Sequence, residues 1–66
     1  MTLKEFLVQQ RIIMGFAEAR RMALTEVIEV NGEVILDTDY ILHTGDKIVL
    51  STKPKRIMVV GTIIHE

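Results

Sequence analysis

The first ten residues carry an apolar stripe typical of a short amphipathic helix, because its members recur at the i, i+3 and i+4 spacing of one helix face. The stripe consists of Leu3, Phe6 and Leu7. Thr2 precedes it, and Glu5 follows Thr2 by three residues. This is the pattern of a capping box, in which each side chain accepts a hydrogen bond from the other residue's backbone N–H. We therefore expect a helix over residues 3–10.

A second helical pattern follows Gly15, where the chain is expected to turn. Glu18 and Arg21 stand three residues apart, which is the spacing of an ion pair along a helix. The pattern predicts a helix over residues 16–25. Its apolar stripe is predicted to be Phe16, Ala19 and Ala23.

From Thr25 onward the pattern changes to the two-residue alternation of β-strands. Asn31-Gly32 is a strong hairpin signal, because both central positions of a type I′ turn require positive φ. We expect Ile28–Val30 to pair antiparallel with residues 34–36 around this turn.

The second half of the chain predicts short strands separated by turns. Residues 40–42 are expected to be extended, and residues 43–46 to form a tight turn. Lys47–Leu50 is predicted to be a strand, and the β-branched segment 56–64 a final one. We therefore expect one α+β domain over residues 1–66, with two N-terminal helices packed on a small, mostly antiparallel, curled β-sheet.

The apolar positions of these elements define a predicted core. Met14 and Met22 are expected to fill gaps in it, because methionine adapts to irregular spaces. The core itself is predicted to contain Leu3, Phe6, Leu7, Ala19, Ala23, Ile28, Val30, Leu42 and Ile48.

Composition narrows the class of protein. The 66 residues include no cysteine, so neither a disulfide nor a thiolate metal site can stabilise the domain. Eight Lys/Arg and nine Asp/Glu give a net charge of −1. A nucleic-acid binder needs a basic surface, and a local basic patch is compatible with that total. The longest uncharged apolar run covers residues 57–65, far short of the ~20 residues of a bilayer span. We expect a soluble cytoplasmic protein.

The polar residues predict no catalytic site, metal or cofactor. A zinc site would need His43 and His65 with carboxylates, and their spacing does not fit one. Asp37 and Asp39 resemble the start of a calcium loop, but the required glycine and closing glutamate are absent. The histidines also have no nucleophile or third group beside them in the pattern. The chain is therefore expected to bind a partner and not to be an enzyme.

Four motifs occur in order along the chain: Leu3 with Phe6-Leu7, Glu18-Ala19-Arg20-Arg21, Ile28-Glu29-Val30-Asn31-Gly32, and Leu42-His43-Thr44-Gly45-Asp46-Lys47-Ile48. Together they resemble the S4 RNA-binding domain (αL motif) family. The match covers about residues 2–50, and the predicted strand over 56–64 lies beyond it.

The resemblance implies an S4/αL-like fold whose helices present basic side chains to structured RNA, in a ribosomal or tRNA context. Arg20 and Arg21 match the RNA-contacting arginines of the family, and a guanidinium can donate two hydrogen bonds to one phosphate. Departures from the family pattern include Gly15-Phe16-Ala17, where the family often has Ser-Arg-Ser, Leu24, near a commonly basic position, and Glu26, at a usual glycine.

The candidate RNA-binding residues form one basic patch if the C-terminal segment folds back near the second helix. The alternative for these charges is an ordinary solvated surface, with Glu18 paired to the arginines. The full candidate set is Arg11, Arg20, Arg21, Lys47, Lys53, Lys55 and Arg56.

The alternative function is a protein-interaction module on an S4-like scaffold, because the apolar segment 56–64 would offer a strand edge to a partner or to a second copy. A β-grasp sulfur carrier has a similar length and turn rhythm. Such carriers begin with a strand and end in Gly-Gly, whereas this chain begins with a helical pattern and ends in Ile63-Ile64-His65-Glu66. The carrier chemistry is therefore not expected.

Overall fold

The computed structural model describes residues 1–61, in which two helices are followed by four strands. Both predicted helices are present, each one residue shorter at its C-terminal end than expected. No helix in this part of the chain is long and apolar enough to cross a membrane. The elements are α1 Leu3–Gln9, α2 Phe16–Leu24, β1 Ile28–Val30, β2 Glu33–Val34, β3 Lys47–Leu50 and β4 Arg56–Val59.

α1 begins with the predicted capping box. The Glu5 backbone N–H donates to the Thr2 hydroxyl at 3.3 Å, and the Thr2 N–H donates to the Glu5 carboxylate at 3.0 Å. The Thr2 N–H, and after it the Thr2 hydroxyl, lower the pKa of Glu5 by stabilising its charged form. The next two helical N–H groups, of Leu3 and Lys4, donate to carbonyl oxygens between β2 and β3. The start of α1 is thereby fixed to that connection.

The four strands form one antiparallel sheet in the order β2-β1-β3-β4. β1 and β3 are not consecutive in the chain, so their pairing joins two hairpins, β1–β2 and β3–β4. Ile28 pairs with Leu50, and Val30 pairs with Ile48. Because side chains alternate between faces, these four lie on one face of the sheet, and all four are buried.

The first hairpin turns at Asn31-Gly32 as predicted, with φ of +52° and +85°. Both angles are positive, as a type I′ turn requires. The predicted return strand over 34–36 is wrong in its bounds, because a two-residue loop leaves Glu33 directly opposite Val30. β2 therefore starts one residue earlier, and it ends where the side chain of the following residue enters the core.

β4 is shorter than the predicted segment 56–64. The chain leaves the strand after four residues, but Val60 is buried and continues the pairing with the turn before β3. Its N–H donates to the Asp46 carbonyl at 2.9 Å, and its carbonyl accepts from the Gly45 N–H at 2.8 Å. The predicted strand positions 62–64 lie outside the described residues.

A side-chain network joins the hairpin turn to the predicted turn at 43–46. The Asn31 amide donates to Asp46 at 3.0 Å, and the Asn31 side-chain oxygen accepts from the Lys47 N–H at 2.9 Å. The other Asp46 oxygen accepts from the His43 N–H at 2.8 Å. The His43 N–H, followed by the Asn31 amide, lowers the pKa of Asp46. The network fixes the tip of the first hairpin to the start of β3.

All nine residues of the predicted core are buried. Met22 packs against this core as expected. Met14 is 91% exposed, so its assignment to the core is wrong; it lies in the connection between the helices and not on a helical face. The buried apolar set is Leu3, Phe6, Leu7, Ile13, Ala19, Ala23, Ile28, Val30, Ile35, Leu42, Ile48, Leu50 and Val60.

The two phenylalanines provide a matched test of this core. Phe6 is 4% exposed and Phe16 is 52% exposed. Phe6→Ala should lower the free energy of unfolding by about 3 kcal/mol or more, because a buried ring leaves a cavity. Phe16→Ala should cost about 1 kcal/mol or less, as expected for a change outside the core. Urea unfolding of both variants measures the difference, and equal losses would contradict the position of Phe6.

Asp46→Asn should destabilise the domain by about 1–3 kcal/mol at neutral pH, because its donors lose a charged acceptor. The pKa of Asp46 is lowered in the folded state, so its carboxylate stabilises the fold above the ordinary value of 3.8. That contribution is lost as the pH falls through the lowered pKa. The gap in unfolding free energy between wild type and Asp46→Asn should therefore shrink in acid. A gap of constant size at every pH would show that the charge of Asp46 is irrelevant.

Candidate nucleic-acid interface

The solvent face of α2 carries both predicted arginines. Gly15 is the N-cap of this helix, and Ala19 and Ala23 bury its inner face. Small alanines let the helix pack closely, and they leave the long polar side chains on the outside. The exposed face consists of Phe16, Ala17, Arg20, Arg21 and Leu24.

The predicted ion pair between Glu18 and Arg21 is not formed. Within residues 1–61, the carboxylates that lie near a basic side chain are Asp39, at 2.6 Å from the Lys4 ammonium, and Asp46, at 3.9 Å from a His43 ring nitrogen. Arg21 lies in the last turn of α2, where the free carbonyl ends of the helix favour a cation. Its guanidinium is therefore held near the helix end without a carboxylate partner in the described chain.

The seven candidate residues share two properties. Each side chain is exposed, and none makes an ion pair with a carboxylate of residues 1–61. They are all of the Lys and Arg residues of the chain except Lys4. Cations that are not already neutralised are available to phosphate, so the near-zero net charge does not measure the charge of this surface.

The strand order sorts the charges across the sheet. Residues 22–46 contain six carboxylates and no Lys or Arg; Glu29 lies in β1 and Glu33 in β2, and the other four lie in the connections before and after these strands. Residues 47–56 contain four cations and no carboxylate; two of them begin β3 and β4, and the other two lie in the loop between these strands. Because the order is β2-β1-β3-β4, the strand carboxylates lie on one half of the sheet and the strand cations on the other half.

Three of the four cations of residues 47–56 lie at the end of the sheet next to the connection between α2 and β1. The Ser51 N–H donates to the Val27 carbonyl at 2.9 Å. Val27 lies in that connection, and Ser51 begins the loop between β3 and β4. This hydrogen bond places the start of the loop beside the connection. The cations of the loop and the strand that follows it are Lys53, Lys55 and Arg56.

Lys47 lies apart from these three residues. It pairs with Val59 at one end of the β3–β4 ladder, whereas Arg56 pairs with Leu50 at the other end. Alternation along β3 also points Lys47 away from the face that buries Ile48. Three of these four cations therefore lie at the end of the sheet next to the α2–β1 connection, and Lys47 lies at the opposite end.

Arg11 occupies a strained turn at the end of α1. Its φ is +58°, in the left-handed region where glycine is usual. The Ile12 N–H donates to the Leu7 carbonyl at 3.0 Å, and the Arg11 N–H donates to the Val8 carbonyl at 2.9 Å. This is a Schellman motif with arginine at its glycine position. The charged side chain is thus presented just beyond the helix, at a cost in backbone energy.

Glu26 has the same conformation after α2, with a φ of +61°. Its N–H donates to the Ala23 carbonyl at 3.0 Å, which satisfies one of the free carbonyl groups at the helix end. Both helices therefore end in a charged residue at a position that favours glycine. The glycine that is usual at the Glu26 position in the S4 family pattern was a signal for this conformation, whereas no signal in the sequence identified Arg11 as left-handed.

Comparison of the chain with protein family models, with characterised proteins and with solved structures finds no match.

Replacing either left-handed residue by glycine should stabilise the fold. Arg11→Gly and Glu26→Gly should each raise the free energy of unfolding by roughly 0.5–1 kcal/mol, because a side chain is unfavourable at positive φ. The matched control is Gln10→Gly, at the C-cap of α1, where φ is −80° and glycine brings no such relief. Chemical denaturation measures all three variants. Destabilisation by all three would rule out strain at these positions.

Proposed function

We propose that this protein is a non-catalytic, S4-like RNA-binding domain that recognises structured RNA, in a ribosomal or tRNA context, through a basic end of the domain. The proposed interface combines the exposed arginines of α2 with the basic loop between β3 and β4. The observation that carries the proposal is the group of three exposed cations without a carboxylate partner in residues 1–61, in and directly after the β3–β4 loop, whose first residue is hydrogen-bonded to the connection after α2. The interface residues are Arg20, Arg21, Lys53, Lys55 and Arg56.

The backbone conformation of Glu26, one of the departures from the family pattern, supports the S4-like assignment. Glu26 stands where the family usually has glycine, and its positive φ is the conformation that glycine adopts readily. The two turn motifs, Asn31-Gly32 and Gly45-Asp46, are also joined through the Asn31 and Asp46 side chains. The motifs shared with the family are therefore parts of one connected structure in this chain.

The chemistry of the interface favours phosphate recognition over base reading by a helix inserted into a groove. The deep, narrow major groove of an RNA duplex excludes side chains, so RNA is recognised largely by its shape and backbone. An exposed arginine without a carboxylate partner can donate two hydrogen bonds to a phosphate. Five cations on arginine and lysine side chains are enough for about three or four phosphate contacts on a folded RNA.

A protein-interaction module is the second candidate function, and the outer face of the sheet favours it. A row of directly paired residues crosses all four strands: Val34, Glu29, Val49 and Ile57. Ile57 and its strand neighbour Val59 are both exposed. They lie on β4, an edge strand whose free backbone groups can pair with another chain.

RNA titrations at several salt concentrations test the first proposal. Wild type should bind bulk tRNA or rRNA with a log-affinity slope of about −2 to −4 against log salt, as expected for three or four phosphate contacts. Arg20→Glu/Arg21→Glu should abolish most of this binding and leave the fold intact, because both side chains are exposed. Circular dichroism checks the fold.

Single charge reversals provide the matched comparison. Arg21→Glu and Lys47→Glu change the net charge equally, but Lys47 lies at the other end of the β3–β4 ladder. Arg21→Glu should weaken RNA binding by at least about 10-fold, the effect of roughly 1.4 kcal/mol. Lys47→Glu should weaken RNA binding by a clearly smaller factor. Absence of binding by wild type at low salt would reject the RNA proposal and favour the protein-interaction module.

A further inference from the structure

One aromatic ring of the described chain is prominently exposed, and it lies on the arginine face of α2. The protein has two phenylalanines, one tyrosine and no tryptophan. Phe6 is buried and Tyr40 is partly buried, whereas Phe16 is 52% exposed. Sequence periodicity assigned Phe16 to the core stripe with the alanines. The ring lies instead at the first position of α2, at the margin of that stripe, where the helix leaves half of it open.

The ring is held from one side by a cation. The Lys4 ammonium lies 5.1 Å from the centroid of Phe16, within the range of a cation–π contact. The same ammonium is bound to Asp39 at 2.6 Å, so it is itself fixed in place. Lys4 therefore holds one side of the Phe16 ring, and the rest of the ring is open to solvent. The ring lies beside a turn in which the Met14 side chain is almost fully exposed.

Arg20 lies four residues, just over one helical turn, beyond Phe16 on the same exposed face, about 6 Å along the axis. Its guanidinium has no carboxylate partner within residues 1–61. A flat apolar ring and a free arginine at this separation match the two parts of an unpaired nucleotide. The ring accepts the face of a base, and the arginine accepts the adjoining phosphate.

We propose that Phe16 stacks on an unpaired base of the bound RNA while Arg20 holds the neighbouring phosphate. The substrate class is then a structured RNA with a bulged, looped-out or terminal nucleotide beside a stem, because a continuous duplex keeps its base faces stacked internally. This inference rests on the proposed RNA-binding function and names the RNA feature that the same helix selects. A base is favoured over an apolar protein side chain, since the guanidinium of Arg20, which has no carboxylate partner in residues 1–61, attracts the phosphate that adjoins the base.

Two RNA hairpins with the same stem and loop test the inference, one fully paired in its stem and the other with a single bulged nucleotide. Wild type should bind the bulged hairpin about 10-fold more tightly, the effect expected for one stacked base. Phe16→Leu keeps an apolar side chain but removes the stacking ring, so the ratio of the two affinities should fall to about 1. Arg20→Gln should weaken binding to both hairpins.

A tryptophan variant gives an independent optical readout. Because the chain has no tryptophan, Phe16→Trp introduces a single fluorophore at the proposed stacking position. Its emission should be quenched by the bulged hairpin and much less by the paired one, and the preference for the bulge should be retained.

The possible outcomes distinguish failure of the stacking site from failure of the proposed RNA-binding function. If wild type binds neither hairpin, the proposed function and the stacking site both fail. If wild type and Phe16→Leu show the same affinity ratio, RNA binding stands and the stacking site is refuted. Self-association that Phe16→Leu abolishes, with no change in either RNA affinity, would assign the ring to a protein contact instead.

Discussion

The pairing of β1 with β3 is the interaction on which the rest of this small domain depends. An isolated two-stranded hairpin is at best marginally stable in water, and here the central pairing joins two of them into one sheet. It brings four large side chains onto one buried face, under the two short helices. The Asn31 side chain anchors one end of the join, and the Ser51 hydrogen bond to Val27 anchors the other. Without this join there is no surface on which seven- and nine-residue helices can pack.

The same join produces the charge distribution that supports the proposed function. Glu29 and Glu33 lie in the first hairpin and Lys47 and Arg56 in the second, so a sheet centred on β1 and β3 separates these strand charges into two halves. The hydrogen bond from Ser51 to Val27 then places the start of the β3–β4 loop beside the connection that follows α2. A chain of net charge −1 thus has a local group of cations at one end of its sheet.

Local signals predicted much of this fold because their physics is local. The capping box at Thr2 and Glu5 and the Asn31-Gly32 turn each depend on a few adjacent residues, and both are confirmed. The core positions followed from periodicity. A feature that depends on packing was missed: Met14 is exposed because it stands in a connection. The bounds of β2 were also predicted wrongly, although the turn length that sets its register is local.

The candidate site was only partly predictable, because the positions of its residues depend on strand pairing and packing. The arginines of α2 were identified by their pattern and are exposed as expected. The separation of Lys47 from Arg56 is set by strand pairing, which the local pattern does not encode. The exposure of half of the Phe16 ring depends on where α2 packs against the rest of the domain. Its aromatic character was visible in the sequence, but its accessibility was not.

Amide chemical-shift mapping with a bulged RNA hairpin tests the central claim most directly, because it reports on every part of the domain in one titration. The account predicts that the largest shifts occur in α2 and in residues 51–56, while the acidic hairpin of β1 and β2 is little affected. Shifts concentrated on the acidic hairpin, or on the exposed outer face around Ile57, would contradict the proposal that charge sorting by the β1–β3 join creates the binding surface.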